Sequence, residues 1–169
     1  MELTKAREMH APAETEGDSP RRICFVCTGN TCRSPMAEAV ANALIKEMGR
    51  TDLRACSAGL FANDGEPIAP NAVLALEDAG VPAVTGRDYH RHVAHTLRAE
   101  EAEAFDLLVG MTDAHAMQMM MSFPEVAERI TVMPIRIPDP WGGDAGVYRA
   151  SLSEITEAVR RLLFSEEKA

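Results

Sequence analysis

Residues Ile23 to Cys27 (I-C-F-V-C) form a short apolar run, and the next six positions switch abruptly to Thr-Gly-Asn-Thr-Cys-Arg. An amphipathic pattern follows at once, with apolar side chains at Ala37, Val40, Ala41, Leu44, Ile45 and Met48. Five apolar residues in a row suit a strand buried on both faces. The i, i+3, i+4, i+7, i+8 spacing suits a helix with one packed side. Ser34 is placed to cap that helix, Pro35 suits its first position and Gly49 supplies a stop. A buried strand, a tight polar loop and a packed helix in immediate succession form half of a parallel crossover unit. Few folds other than an α/β sheet accommodate it.

The same alternation continues. Strands are expected over 52–57, 105–111 and 129–135. Helices are expected over 68–79, closed by Gly80, and from a Thr112 cap to about Phe123. A Pro- and Gly-rich loop over 138–146 precedes a last helix over 147–164. This order predicts an α/β fold with a parallel sheet and helices on both faces. Sites in such sheets lie outside the carboxyl ends of the strands, and the 27–33 and 138–146 loops both follow strands.

A chain of 169 residues with 46% hydrophobic content has enough apolar material for one core and no linker that would divide it. Residues 1–20 are polar and are read as a disordered leader, with residues 21–169 as the single domain. The leader has no apolar stretch of the kind that directs secretion, and no apolar run is long enough to span a bilayer. A net charge of −9 argues against nucleic acid or an acidic membrane as partner. Of four cysteines, Cys24, Cys27 and Cys32 lie within nine residues while Cys56 stands apart. That clustering fits reduced thiols and a cytoplasmic location better than a disulfide framework. A monomer is expected at this size.

Chemistry concentrates in Cys27-Thr28-Gly29-Asn30-Thr31-Cys32-Arg33-Ser34. Five residues between Cys27 and Arg33 are enough for a loop whose backbone N–H groups converge, and the following helix adds its positive end. Residues 28–33 would therefore cradle a phosphate dianion, and Cys27 at the base would be favoured as thiolate nucleophile. Arg33 offers a planar fork for two phosphate oxygens. The Ser34 hydroxyl can donate to the thiolate, Asn30 can brace the loop, and Gly29 permits positive φ. Phosphoryl transfer to a poor leaving group also needs an acid. Asp139, in Asp139-Pro140-Trp141-Gly142-Gly143, is the candidate, with Trp141 as a wall of the pocket. The set calls for no metal and no cofactor.

The strings V-C-T-G-N-T-C-R-S-P-M-A-E (26–38), S-A-G (57–59) and D-P-W-G-G (139–143) resemble the low-molecular-weight protein tyrosine phosphatases over about residues 21–164. The resemblance implies a three-layer sandwich around a four-stranded parallel sheet and a phosphocysteine intermediate on Cys27. It also implies phosphate held by the 28–33 backbone and Arg33, Asp139 as acid, and a phosphorylated protein as substrate. Within the family, T-G-N-T-C-R with D-P-aromatic-G-G looks like the bacterial protein-arginine phosphatases, where Thr31 stands in place of a larger aliphatic residue. A threonine hydroxyl suits a slim guanidinium; a bulkier aliphatic chain suits the flat face of phosphotyrosine. That subgroup carries Phe more often than Trp after D-P, so phosphotyrosine stays as the alternative.

Other features support blander readings. Cys32 is either a packing residue or a partner that forms a disulfide with Cys27 under oxidation and protects it. Cys24 and Cys27 form a C-x2-C, but positions three apart on a strand face opposite ways and no second ligand pair follows, which argues against zinc. His90, His92 and His95 read as a solvated loop beside the pocket. Met117, Met119, Met120 and Met121 read as core and its margin. A thiol-dependent arsenate reductase would need relay cysteines after Cys56, and there are none. A phosphocysteine carrier or a noncatalytic phosphate-binding module would not need Asp139.

Overall fold

The computed structural model describes residues 20–164. Four strands, β1 (Arg21–Cys27), β2 (Leu53–Gly59), β3 (Leu107–Gly110) and β4 (Ile130–Val132), form one sheet in the order β2-β1-β3-β4. All three pairings are parallel, with Cys27 opposite Gly59, Val26 opposite Gly110 and Val109 opposite Thr131. The expected α/β architecture is therefore present, and the expected leader lies outside the described residues. The chain leaves β1 towards β2 on one side and returns to β3 on the other. The carboxyl end of β1 is thus the point where strand order reverses, where crevices form in such sheets.

Alternation along β1 divides the interior. Ile23, Phe25 and Cys27 point into a core shared with helix α1 (Arg33–Glu47), helix α2 (Pro70–Asp78) and helix α6 (Ala145–Phe164). Cys24 and Val26 point the other way, into a second cluster with Leu108, Ala102 of helix α4 (Ala99–Ala104), and Ala116 and Met119 of helix α5 (Asp113–Ser122). Cys24 and Cys27 accordingly lie on opposite faces, and Cys56 is half-buried against the second cluster.

Several boundaries differ from expectation. Helix α1 begins at Arg33, with Cys32 at the cap position and no side-chain cap bond, so Ser34 lies within the first turn and caps nothing. Pro35 is then the third helical residue, where its missing N–H still has no intrahelical partner to lose. The short helices α3 (Val81–Thr85) and α4 were not anticipated. Helix α4 is six residues of Ala and Glu with no apolar stripe, held at its start by the Arg98 N–H donating to Glu101. Thr112 does cap α5, accepting from the His115 N–H at 3.3 Å. Of the α5 methionines only Met119 is core; Met117, Met120 and Met121 are exposed, because the helix packs along a single line. Among the described residues no helix is long and apolar enough to cross a membrane.

The junction between β3 and α5 is a tight contact near the sheet's carboxyl edge. A Cβ added at Gly110 would stand 2.6 Å from the Ala116 nitrogen and 3.0 Å from the Thr112 oxygen, both backbone atoms that cannot yield alone. Gly110→Ala is expected to destabilise the fold by about 1–3 kcal/mol, the usual cost of overpacking. Urea unfolding that left the midpoint unchanged would show that α5 shifts freely.

Candidate active site

At the end of β1 the chain folds into a tight loop before α1, and the loop's carbonyl groups are tied outward. The Cys27 oxygen accepts from Leu60 N–H (2.9 Å), Thr28 from Phe61 N–H (3.0 Å) and Thr31 from Ala69 N–H (3.0 Å). The Asn30 oxygen accepts from the His92 Nε2–H at 3.0 Å. A peptide unit is planar with its C=O and N–H opposed. Anchoring these carbonyls outside the loop therefore turns the N–H groups of Thr28, Gly29, Thr31 and Cys32 towards its interior. With the start of α1 beneath, the loop is a ring of partial positive charge.

Positive φ was expected at Gly29, but it falls on Asn30, at φ 59°, alone among the described non-glycine residues. Asparagine visits this region more readily than most residues, and here its side chain is clamped. Its Nδ2 donates to Ser34 Oγ (2.8 Å) and Ser57 Oγ (3.1 Å), while its Oδ1 accepts from His95 N–H (3.0 Å). Ser57 in turn donates to Glu38 at 2.5 Å. The end of β2 lies so close that a Cβ at Gly59 would meet the Thr28 oxygen at 2.6 Å, so only glycine lets strand and loop mate.

The Cys27 sulfur sits at the base of this ring, buried, 3.0 Å from Ser34 Oγ and 3.3 Å from the Asn30 N–H that donates to it. Ser34 is fully buried, and its Oγ also lies 3.4 Å from the Ala58 oxygen, a second acceptor for its proton. Arg33 is 7% exposed; its Nη1 donates to the Ile137 oxygen at 3.2 Å and its Nη2 lies 3.6 Å from Asp139 Oδ2. Asp139 is more than half exposed and its Oδ1 accepts from Trp141 N–H (3.1 Å). The loop carrying both turns at Gly142, φ 83°, and is pinned to α2 where Asn71 Nδ2 donates to the Gly143 oxygen at 3.3 Å. Cys32 is buried against Tyr148, its sulfur 3.2 Å from the phenol oxygen. Burial pushes the Cys32 thiol up, opposed by the hydrogen bonds of Tyr148 and Thr31.

Residues 27–33 line an open pocket of about 240 Å³ together with Asp139 and Trp141, so every residue expected in the site from the sequence except Ser34, whose Oγ is 3.0 Å from the sulfur, is on its wall. Sequence reasoning missed Phe61, Asn63 and Glu66, which also line it. Phe61 and Trp141, 70% and 76% exposed, are the two aromatic side chains among the lining residues. His92 and His95 are half-buried and touch Asn30, where a solvated loop was expected; His90 alone is exposed. A larger groove of about 600 Å³ beside Met111, Asp113, Met133 and Arg136 has no cysteine or histidine among its lining residues.

His115 was also missed. It is 7% exposed, its Nε2 lies 3.0 Å from Thr28 Oγ1 and its Nδ1 lies 2.9 Å from Thr112 Oγ1. Burial first, and then the nearby Arg33 cation, hold its pKa down to about 4, with Asp139 pulling weakly the other way; the imidazole is neutral at physiological pH. A threonine cap with a histidine three residues on, directly after a strand that ends beside Cys27, was the available signal.

The sequence model described as low molecular weight phosphotyrosine protein phosphatase matches residues 22–169. A protein-arginine-phosphatase of Geobacillus stearothermophilus is 33% identical over 150 residues, covering 85% of this chain and 94% of that protein. The crystal structure of a low molecular weight protein tyrosine phosphatase from T. tengcongensis superposes with a TM-score of 0.76 at 35% identity, over 88% of this chain and 99% of the other. A cysteine-to-serine mutant of YwlE arginine phosphatase with a phosphorylated active-site serine superposes with a TM-score of 0.75 at 31% identity, over 83% of this chain and 92% of the other. The chain belongs to the low molecular weight phosphotyrosine protein phosphatase family and is a cysteine-dependent phosphoprotein phosphatase.

Proposed function

We propose that the chain hydrolyses phosphoarginine on proteins through a phosphocysteine on Cys27. The observation that carries the reading is the Cys27 sulfur at the base of a loop whose carbonyls are anchored outward, with the Arg33–Asp139 pair above it. A phosphoryl group in the loop would be held by the inward N–H groups of residues 28–33 and by the Arg33 fork. The Cys27 thiolate attacks phosphorus, an S–P bond forms and the P–N bond breaks. Asp139, as the carboxylic acid, gives its proton to the leaving nitrogen. The Asp139 carboxylate then takes a proton from water, whose oxygen attacks phosphorus, and the thiolate leaves. Ser34 supports the thiolate with its hydroxyl, and Asn30 keeps the loop in shape.

Three features favour arginine over tyrosine. Thr31 presents a short polar side chain at the wall of the pocket. Glu66 and Asp139 bring carboxylates to the rim, and Arg33 is the only basic side chain among the lining residues, so the mouth suits a substrate rich in N–H donors. The similarity to the Geobacillus stearothermophilus protein-arginine-phosphatase points the same way. The tyrosine reading rests on Phe61 and Trp141, two aromatic walls that a phenyl ring would fit, and on the T. tengcongensis tyrosine phosphatase.

With twin peptides carrying phosphoarginine or phosphotyrosine, and Cys27→Ser as the inactive blank, kcat/KM should favour phosphoarginine. Thr31→Ile should shrink that preference by about tenfold, the scale of a one-group pocket change. A preference for phosphotyrosine would return the chain to the alternative. Asp139→Asn should slow turnover of poor leaving groups by about 10²–10⁴ while activated aryl phosphates lose far less; equal losses would remove Asp139 from the acid role. Under mild peroxide, oxidation of Cys27 to the sulfenic acid followed by attack of the Cys32 thiol would form a disulfide and release water. Intact mass should then fall by two hydrogens, and oxygen gain on Cys27 alone would count against Cys32 as its protector.

A further inference from the structure

Among the described residues, His115 is a buried titratable group beside the loop that the mechanism above leaves unused. It stands between two threonines from different elements, Thr112 at the cap of α5 and Thr28 in the loop itself. Thr28 is exposed and lines the pocket, so its hydroxyl is the outer end of a chain whose inner end is buried. Thr112 Oγ1 already accepts the backbone N–H of His115. Its own proton is then available to Nδ1. A neutral imidazole that accepts at Nδ1 carries its proton on Nε2.

We propose that His115 is a positioning residue: Thr112 O–H donates to its Nδ1, its Nε2–H donates to Thr28 Oγ1, and the Thr28 hydroxyl proton is thereby left to point at the anion held in the loop. Each donor in this chain is aimed towards the place where the negative charge sits, so binding a dianion strengthens every link. Burial and the Arg33 cation keep the ring neutral, which the arrangement requires, since a protonated ring has no acceptor for Thr112. The chain also couples the start of α5 to the loop, two elements that meet only at the carboxyl edge of the sheet. The inference rests on the loop being a phosphate site and does not depend on whether arginine or tyrosine carries the phosphate.

The two nitrogens can be separated by substitution. Asparagine places its amide near Nδ1 and keeps only the Thr112 contact; glutamine reaches to the position of Nε2 and can still donate to Thr28. Calorimetric titration of the whole enzyme with inorganic phosphate at neutral pH reads the effect without turnover. His115→Asn and Thr28→Val should each weaken phosphate binding by roughly tenfold, the scale of one hydrogen bond to a charged group. The double variant should be no weaker than either single one. His115→Gln and Thr28→Ser should recover most of the loss, and on an aryl phosphate the loss should appear in kcat/KM. Equal loss in the Asn and Gln variants, losses that multiply in the double variant, or unchanged affinity in His115→Asn would each overturn the inference. Where His115→Asn does not fold, Thr28→Val against Thr28→Ser decides, and equal affinity there overturns it as well. A wild-type enzyme that binds no phosphate would instead defeat the reading of the loop itself.

Discussion

Everything at the carboxyl edge of this sheet depends on where the carbonyl groups of one short loop are fastened. Leu60, Phe61, Ala69 and His92, all beyond β2 in the chain, take the oxygens of Cys27, Thr28, Thr31 and Asn30. Once those oxygens are engaged, the planarity of the peptide leaves the amide hydrogens facing a common centre. A ring of inward amides is costly to leave empty of a partner, and that cost is what makes it receptive to an anion. The strain of Asn30 in left-handed backbone belongs to the same arrangement, and its side-chain bonds to Ser34 and Ser57, with the one received from His95, keep it there.

The rest of the fold reads as support for that loop. β1 is covered on both faces and flanked on both sides, so its last residue cannot drift. Gly59 lets β2 approach within reach of the loop backbone, and the pinning of Gly143 by Asn71 fixes the second loop that carries Asp139. Arg33 belongs to both halves. It opens α1, crosses to the Ile137 carbonyl and meets Asp139, so the candidate phosphate fork and the candidate acid are set by a single side chain.

Much of this was legible in the chain. The run 23–27 gave β1 because unbroken apolar residues admit few alternatives, and the spacing from Ala37 to Met48 gave α1 because one packed stripe has one period. The cysteine, arginine and aspartate of the pocket were visible as a spacing and a loop. Three things were not. The start of α1 was misplaced because Ser34 satisfies the rules for a cap, while its hydroxyl is claimed instead by Cys27 and Asn30. Phe61 and Glu66 come from segments whose local pattern gives no hint that they reach the loop, and the cap signal at Thr112 does not say that His115 meets Thr28; only the parallel register brings them there. The helix α4 has too few residues and no apolar face for any periodicity to announce.

Phe61 and Trp141 both line the pocket, each largely in water, although aromatic surface is usually kept from it. A phosphorylated side chain entering between them would strip hydration from two rings as well as from itself. Its binding would then carry a negative heat-capacity change beyond what phosphate alone produces, and affinity for a full substrate would vary with temperature along a more steeply curved line than affinity for the bare anion. Under the proposed function, the amides that would hold the charge and the two rings that would meet its carrier have separate thermodynamic signatures within one small cleft.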